Sequence, residues 1–323
     1  MSEILLTAFV GGVFGASLGA LWAFCLCGLA TMLGCVLVLS GGSDFLLLQV
    51  GLGPIFGPHA GGFLSGVIAA SYASARGKHP GGSGKDILSP LMGTSWDVLA
   101  VGGAAAAAGA LLASAIGQVP ILREFDHLGL AIIVATFIGR GLFHREGPFG
   151  KKDSIAKHGL LGTDNYALSW VGWMSPPPLL LMIGAGAGGL SGSVAKMAVD
   201  ALAPLAASGA VSPAAAGAVP VIFGWAFSAV MLTCLQFGQG STQKTPVTHC
   251  MALLGALTYL YTGSLIGAVI GGIFGAFLQE LCARLFVNHA SDHLDPPAAG
   301  IAFGTLILNV IFKPGLLGLS ALF

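Results

Sequence analysis

Charge is what this sequence has least of. Only 13 basic and 13 acidic side chains occur among its 323 residues, 8% of the chain, while 55% is hydrophobic. Soluble domains carry about a quarter of their residues as charged side chains, so this scarcity excludes an ordinary water-soluble domain and leaves burial in a membrane. A basic stripe with interleaved aromatics is also missing, and the formal net charge is zero, which removes nucleic acid as a partner. Paired-cysteine motifs are absent too. Cys25, Cys27, Cys35, Cys234, Cys250 and Cys282 sit in or beside apolar runs with no CxxC spacing, and they read as small buried side chains, not as a disulfide framework or metal site. The start, Met1-Ser2-Glu3, has no basic n-region, so the first apolar segment is expected to stay in the mature protein. No nucleophile stands beside a base. Gly77-Lys-His-Pro-Gly-Gly-Ser-Gly-Lys85 glances at a phosphate loop but lacks its glycine spacing and is followed by Asp86. Neither catalysis nor a cofactor is therefore expected.

What is present is apolar length. Runs cover roughly 5–40, 45–75, 87–117, 127–143, 166–199, 217–237, 247–286 and 297–321. At 1.5 Å per residue, most could cross about 30 Å of hydrocarbon, which predicts an all-α, polytopic transmembrane bundle of eight to ten crossings. The lipid bilayer is its first partner, and a plasma (inner) membrane its expected location. Glycine is abundant, 51 residues, and recurs every fourth position at Gly11/Gly15/Gly19, Gly184/Gly188/Gly192 and Gly263/Gly267/Gly271/Gly275. Such stripes let helix backbones approach closely in lipid. On an outward face they would serve a second copy equally well, so a homo-oligomer stays open.

The chain reads as a tandem duplication. Ile55-Phe56-Gly57 recurs as Ile222-Phe223-Gly224, Lys78-x-Pro80 as Lys244-x-Pro246, and Asp126-His127-Leu128 as Asp292-His293-Leu294, at offsets of 166 or 167. The division is a first repeat over 1–143, a hydrophilic linker over 144–165, and a second repeat over 166–323, with about four to five helices per repeat and broken or re-entrant segments. The basic loop at 76–85 and the linker carry most of the positive charge and are expected on the cytoplasmic side; Arg140 is counted with them. Tyr166, Trp170 and Trp173 would form an aromatic belt before the helix opened by Ser175 and Pro176-Pro177-Pro178.

Ionisable groups inside apolar runs are the functional candidates. Asp97, in Met92-Gly-Thr-Ser-Trp-Asp97, stands at the 166 offset where the second repeat has Gly263, with the hydroxyls of Thr94 and Ser95 beside it. Were transport proton-coupled, Asp97 would be the carrier; the bland reading is an interfacial carboxylate. His59 lies in Gly51-Leu-Gly-Pro-Ile-Phe-Gly-Pro-His-Ala-Gly-Gly62, a run too interrupted for one straight helix. Broken helices expose backbone donors and acceptors around a cavity, so this stretch is the first choice for a substrate-binding element, with its counterpart around Phe223-Gly224-Trp225. Lys244 and His249 flank a second polar break, Gly238 to His249, able to bind an anion or to be a solvated loop. His289, Asp292, His293 and Asp295 crowd one loop, where Asp295 before Pro296 and Pro297 reads as a helix cap in preference to a metal ligand.

Phe223-Gly224-x-x-x-Ser228-Ala-Val-Met, then Pro246, then Pro296-Pro297-Ala298-Ala299-Gly300, resembles the HPP family of integral membrane proteins, with Asp295 where that family has histidine. The resemblance implies a compact bundle of about four helices per unit and movement of nitrite or another small anion. The expected function is thus a transporter or channel for a small molecule or ion, an anion among the candidates, sited where the repeats meet. The alternative is a membrane subunit of a larger complex whose glycine faces pack partner helices. An intramembrane enzyme is the third reading, weakened by the missing catalytic constellation.

Overall fold

In a run with few polar side chains, backbone N–H and C=O groups can be satisfied only by one another, and helices result. The computed structural model describes residues 2–162 and 168–313, and these residues contain twelve α-helices with no strand beyond isolated bridges. The first half holds α1 (Ser2–Leu18), α2 (Ala20–Leu39), α3 (Leu64–Ala75), α4 (Trp96–Gln118) and α5 (His127–Phe143). A short α6 (Lys152–His158) lies in the linker. The second half holds α7 (Pro177–Ala207), α8 (Pro213–Met231), the short α9 (Thr233–Phe237), α10 (His249–Thr262), α11 (Leu265–Phe286) and α12 (Pro296–Phe312).

Five of these, α2, α4, α7, α8 continued through α9, and α11, are long and apolar enough to cross a membrane. The chain is an all-α membrane protein. The expected eight to ten crossings are not all of that kind, because α1, α3, α5 and α12 are shorter apolar helices. The reason is visible at α3. Its 12 residues are almost wholly buried, and they rise about 18 Å against about 30 Å of hydrocarbon, so α3 is an internal prop. Outward faces are apolar, with Met182, Met197, Ile266 and Ile270 largely exposed.

One packing scheme recurs in each half. α4 packs on α1, α3 and α5, and α3 also contacts α1 and α5; likewise α11 packs on α7, α10 and α12, and α10 also contacts α7 and α12. The halves meet through α2 against α8 and α5 against α12, each helix on its counterpart. The register differs from the sequence landmarks. Ser95 precedes α4 and Ser264 caps α11, while Asp126 caps α5 and Asp295 caps α12, so the helices stand 169 apart and not 166. Lys78 follows α3 whereas Lys244 precedes α10, so that pair of landmarks marks different places in the two halves.

The Ile-Phe-Gly pair also diverges. Residues 52–63 are irregular, because Pro54 and Pro58 each remove a helical donor. Ile222-Phe223-Gly224 continues inside α8, with no proline after it to stop the helix. The break of the second half lies instead at 238–248, before α10. The glycine stripes allow close approach, but not all to helices: Gly11 and Gly15 of α1 meet the backbone of Ile55 and Gly61 in the broken stretch, and Gly19 falls between α1 and α2 with φ 86°. A methyl on Gly188 would come within 2.5 Å of Gly272 Cα, and Gly271 and Gly275 face Thr258 and Met251 of α10. Gly263 is outside the stripe: it ends α10 in the left-handed region, φ 64°, and a side chain there would strain the turn.

Arg140 is a further correction. It is not a loop charge but lies wholly buried on α5, with Nε donating to Asp292 Oδ1 at 2.6 Å. Ser71 of α3 donates to the other Asp292 oxygen at 2.8 Å, and Arg140 also reaches the Pro148 carbonyl. The linker is held in turn, since Glu146 accepts from Ser291 and Lys151 N–H donates to the His289 carbonyl. Tyr166 of the expected aromatic belt lies outside the described residues.

Candidate functional site

The irregular segments place several helix starts together. Phe63 precedes α3, His249 opens α10, Asp126 caps α5 and Asp295 caps α12. All four line one small cavity of about 40 Å³, with Phe24 of α2, Trp225 of α8 and Pro58 of the broken stretch. Each start presents the positive end of a helix dipole to this space. The carboxylates are tied by their capping roles, Asp126 Oδ1 accepting from Gly129 N–H at 2.7 Å and Asp295 Oδ2 from Ala298 N–H at 2.8 Å.

A second cavity of about 250 Å³ lies against the first. Phe24, Phe63, His249 and Asp295 line both, so these four side chains form the wall between them. Lys85, Trp170, Trp173 and Gln243 line the larger space. Lys85 also lines a polar basin of about 400 Å³ with Ser83, His144, Lys151 and Ser291. Its ammonium donates to the Asn288 carbonyl at 2.9 Å. Burial pushes its pKa down to about 8, with Lys151 and Arg140 adding in the same direction. Basin, cavity, four-residue wall and small cavity are thus contiguous, with positive charge at the wide end and two capping carboxylates, Asp126 and Asp295, at the narrow one.

The narrow point contains unusual imidazoles. His249 and His293 are 3% and 0% exposed, and none of their four ring nitrogens has a hydrogen-bond partner. His249 Nε2 stands 3.9 Å from Asp295 Oδ2, and His293 Nε2 3.7 Å from Asp295 Oδ1. Aromatic rings hold them: Phe24 lies 5.1 Å from His249 and Trp170 5.7 Å from His293, centroid to centroid. Among the described residues no three His, Cys, Asp or Glu side chains are grouped to hold a metal.

Of the six residues singled out by sequence, His249 alone lines these cavities. His59 is buried beside Pro58 with Nδ1 unpartnered, and its carbonyl abuts Gly109 of α4. Asp97 is elsewhere, at the partly exposed start of α4. There its carboxylate accepts from Lys78 at 2.6 Å, Tyr72 at 2.8 Å and Ser95 at 2.5 Å, while Thr94 donates to the Leu91 carbonyl. Lys244 lines a separate shallow recess with Trp173 and Pro246. Sequence reasoning passed over Lys85, Phe24, Phe63 and Asp126, and read Asp295 as a cap alone. The available signal was the pair of Asp caps, hidden by the three-residue register error. An apolar recess of about 470 Å³ between α7 and α8 offers no titratable group and is not part of this chain of cavities.

A family model described as a family of unknown function (DUF7973) matches residues 1–147 and 208–323. No curated protein and no solved structure matches the chain.

Proposed function

The chain belongs to DUF7973, a family of unknown function, and we propose that this member is a transporter or channel passing a small anion between two duplicated halves of the bundle. One observation carries the reading: Phe24, Phe63, His249 and Asp295 are shared walls of two cavities, and the smaller of these is lined by α2 and α8 together with α5 and α12, the helices through which the halves meet. A path at the junction of two like-packed halves, built from broken segments and short helices, is the arrangement in which transporter sites form. Anion preference follows from Lys85 and Lys151 at the wide end and from the helix starts that converge farther in. The HPP resemblance points to the same solute class. We place the protein in the plasma (inner) membrane on the same reading.

The test is flux in proteoliposomes of chloride, nitrate, urea and glycerol, with wild type and Lys85→Gln. Anions should enter faster than the neutral solutes, and Lys85→Gln should slow them about tenfold, as expected for one lost charge-assisted contact. Folded, inserted protein that passes none of these solutes would instead favour the membrane-subunit alternative.

A further inference from the structure

Asp295 presents a physical problem for anion passage: a carboxylate in the wall of the small cavity, held only by its cap bond from Ala298 N–H, repels the solute that Lys85 attracts. The surroundings of Asp295 supply a resolution. Its two oxygens face two imidazoles, His249 and His293, at ion-pair distance but beyond hydrogen-bond reach. Both rings are more than nine-tenths buried with every nitrogen unpartnered. Burying a polar nitrogen without a partner forfeits its hydration with no return, so purely structural histidines would be expected to find partners. An imidazole nitrogen and a carboxylate oxygen can each accept and release a proton, so three such groups facing one another can hold one between them.

We propose that the anion crosses together with a proton held by the Asp295–His249–His293 cluster, an inference that rests on the transport reading above. His249 and Asp295 face both cavities, so the cluster can be loaded from one side and unloaded to the other. The proton leaves water or hydronium in the larger cavity, bonds to an imidazole nitrogen or carboxylate oxygen of the cluster, and is released to water beyond the wall. The cluster ends as it began. A protonated cluster no longer repels the anion, and a bound anion favours the proton; the two couplings are equal by linkage. The other titratable groups facing this point are Lys85 from the 76–95 loop, the capping carboxylate of Asp126 on α5 and the buried Cys250 thiol of α10. Asp292, in the same loop as His293, is already neutralised by Arg140. One proton with each monovalent anion makes the cycle electroneutral.

Chloride and nitrate test this, because neither crosses lipid as a neutral acid. With a pH dye inside proteoliposomes, an inward chloride gradient should acidify the lumen of wild-type vesicles, and a potassium–valinomycin potential should leave uptake unchanged. Asp295→Asn, which keeps a capping side chain, should abolish the acidification and make any residual uptake follow the potential. His249→Gln and His293→Gln, which leave the cap untouched, should weaken coupling in the same direction and serve if the Asp295 variant does not fold. Chloride uptake by wild type without acidification, driven by the potential, overturns proton coupling and leaves the anion path standing. Full acidification in all three folded variants overturns the assignment to this cluster. Wild type that passes no anion overturns the transport reading and this inference with it.

Discussion

Arg140 and Asp292 show how single residues hold the halves together. Both are fully buried, and together they join α5 of the first half to the loop before α12 of the second. Breaking such a pair strands a charge, so Arg140→Met should cost roughly 3–5 kcal/mol, and the double variant Arg140→Met with Asp292→Leu distinctly less. Thermal unfolding of detergent-solubilised protein reads both, and equal losses would contradict this account. Lys85 gives a pH signature. Its value of about 8 lies below the ordinary lysine value of 10.5, so the ammonium is present below pH 8 and is lost above it. Anion uptake should therefore decline as pH rises through about 8, and Lys85→Arg, which stays charged, should move the decline upward. The sign for stability is opposite. A folded value below the unfolded one means that stability recovers between about 8 and 10.5 and is lost as pH falls through 8.

At the scale of elements, α4 and α11 begin with similar turns that serve different ends. Asp97 is locked by Lys78, Tyr72 and Ser95 at the rim of α4, away from the cavities. Asp97→Asn is thus expected to leave anion flux and its proton coupling intact, and a variant that lost either would restore Asp97 as the carrier. The glycine stripes bear on packing. Gly272 sits against Gly188, with no room for a methyl, whereas Gly186 on the same α7 has nothing within 4 Å. Gly272→Ala should destabilise by about 1–3 kcal/mol of overpacking and Gly186→Ala should be harmless, measured by unfolding side by side.

For the molecule as a whole, the recurring packing scheme and the helix-on-counterpart contacts make each half a unit completed by the other. The pairs α2–α8 and α5–α12, with the Arg140–Asp292 bridge, form most of that junction. Residues 1–159 and 160–323, co-expressed as separate chains, should purify together, while either half alone should aggregate or be degraded. Independent purification of the halves as stable monomers would mean that the junction contributes little, and with it the enclosed path.

Composition and run length sufficed for the membrane class and the all-helical architecture, because lipid offers backbone groups no other partner. Glycine spacing foretold the close crossings, and prolines foretold the broken stretch at 52–63, since each acts through local sterics. His249 was legible because a polar break interrupts an apolar run. The remaining site depends on tertiary structure. Phe24 and Phe63 look like ordinary core residues, and Lys85 like one more loop lysine, until folding brings them against His249. Asp126 and Asp295 announce helix caps, which are local; that both caps face one cavity is a long-range fact, decided by how α5 and α12 cross. The same holds for Arg140 and Asp292, 152 residues apart: charge in a sequence says that a partner is needed, and only the packed bundle says which one.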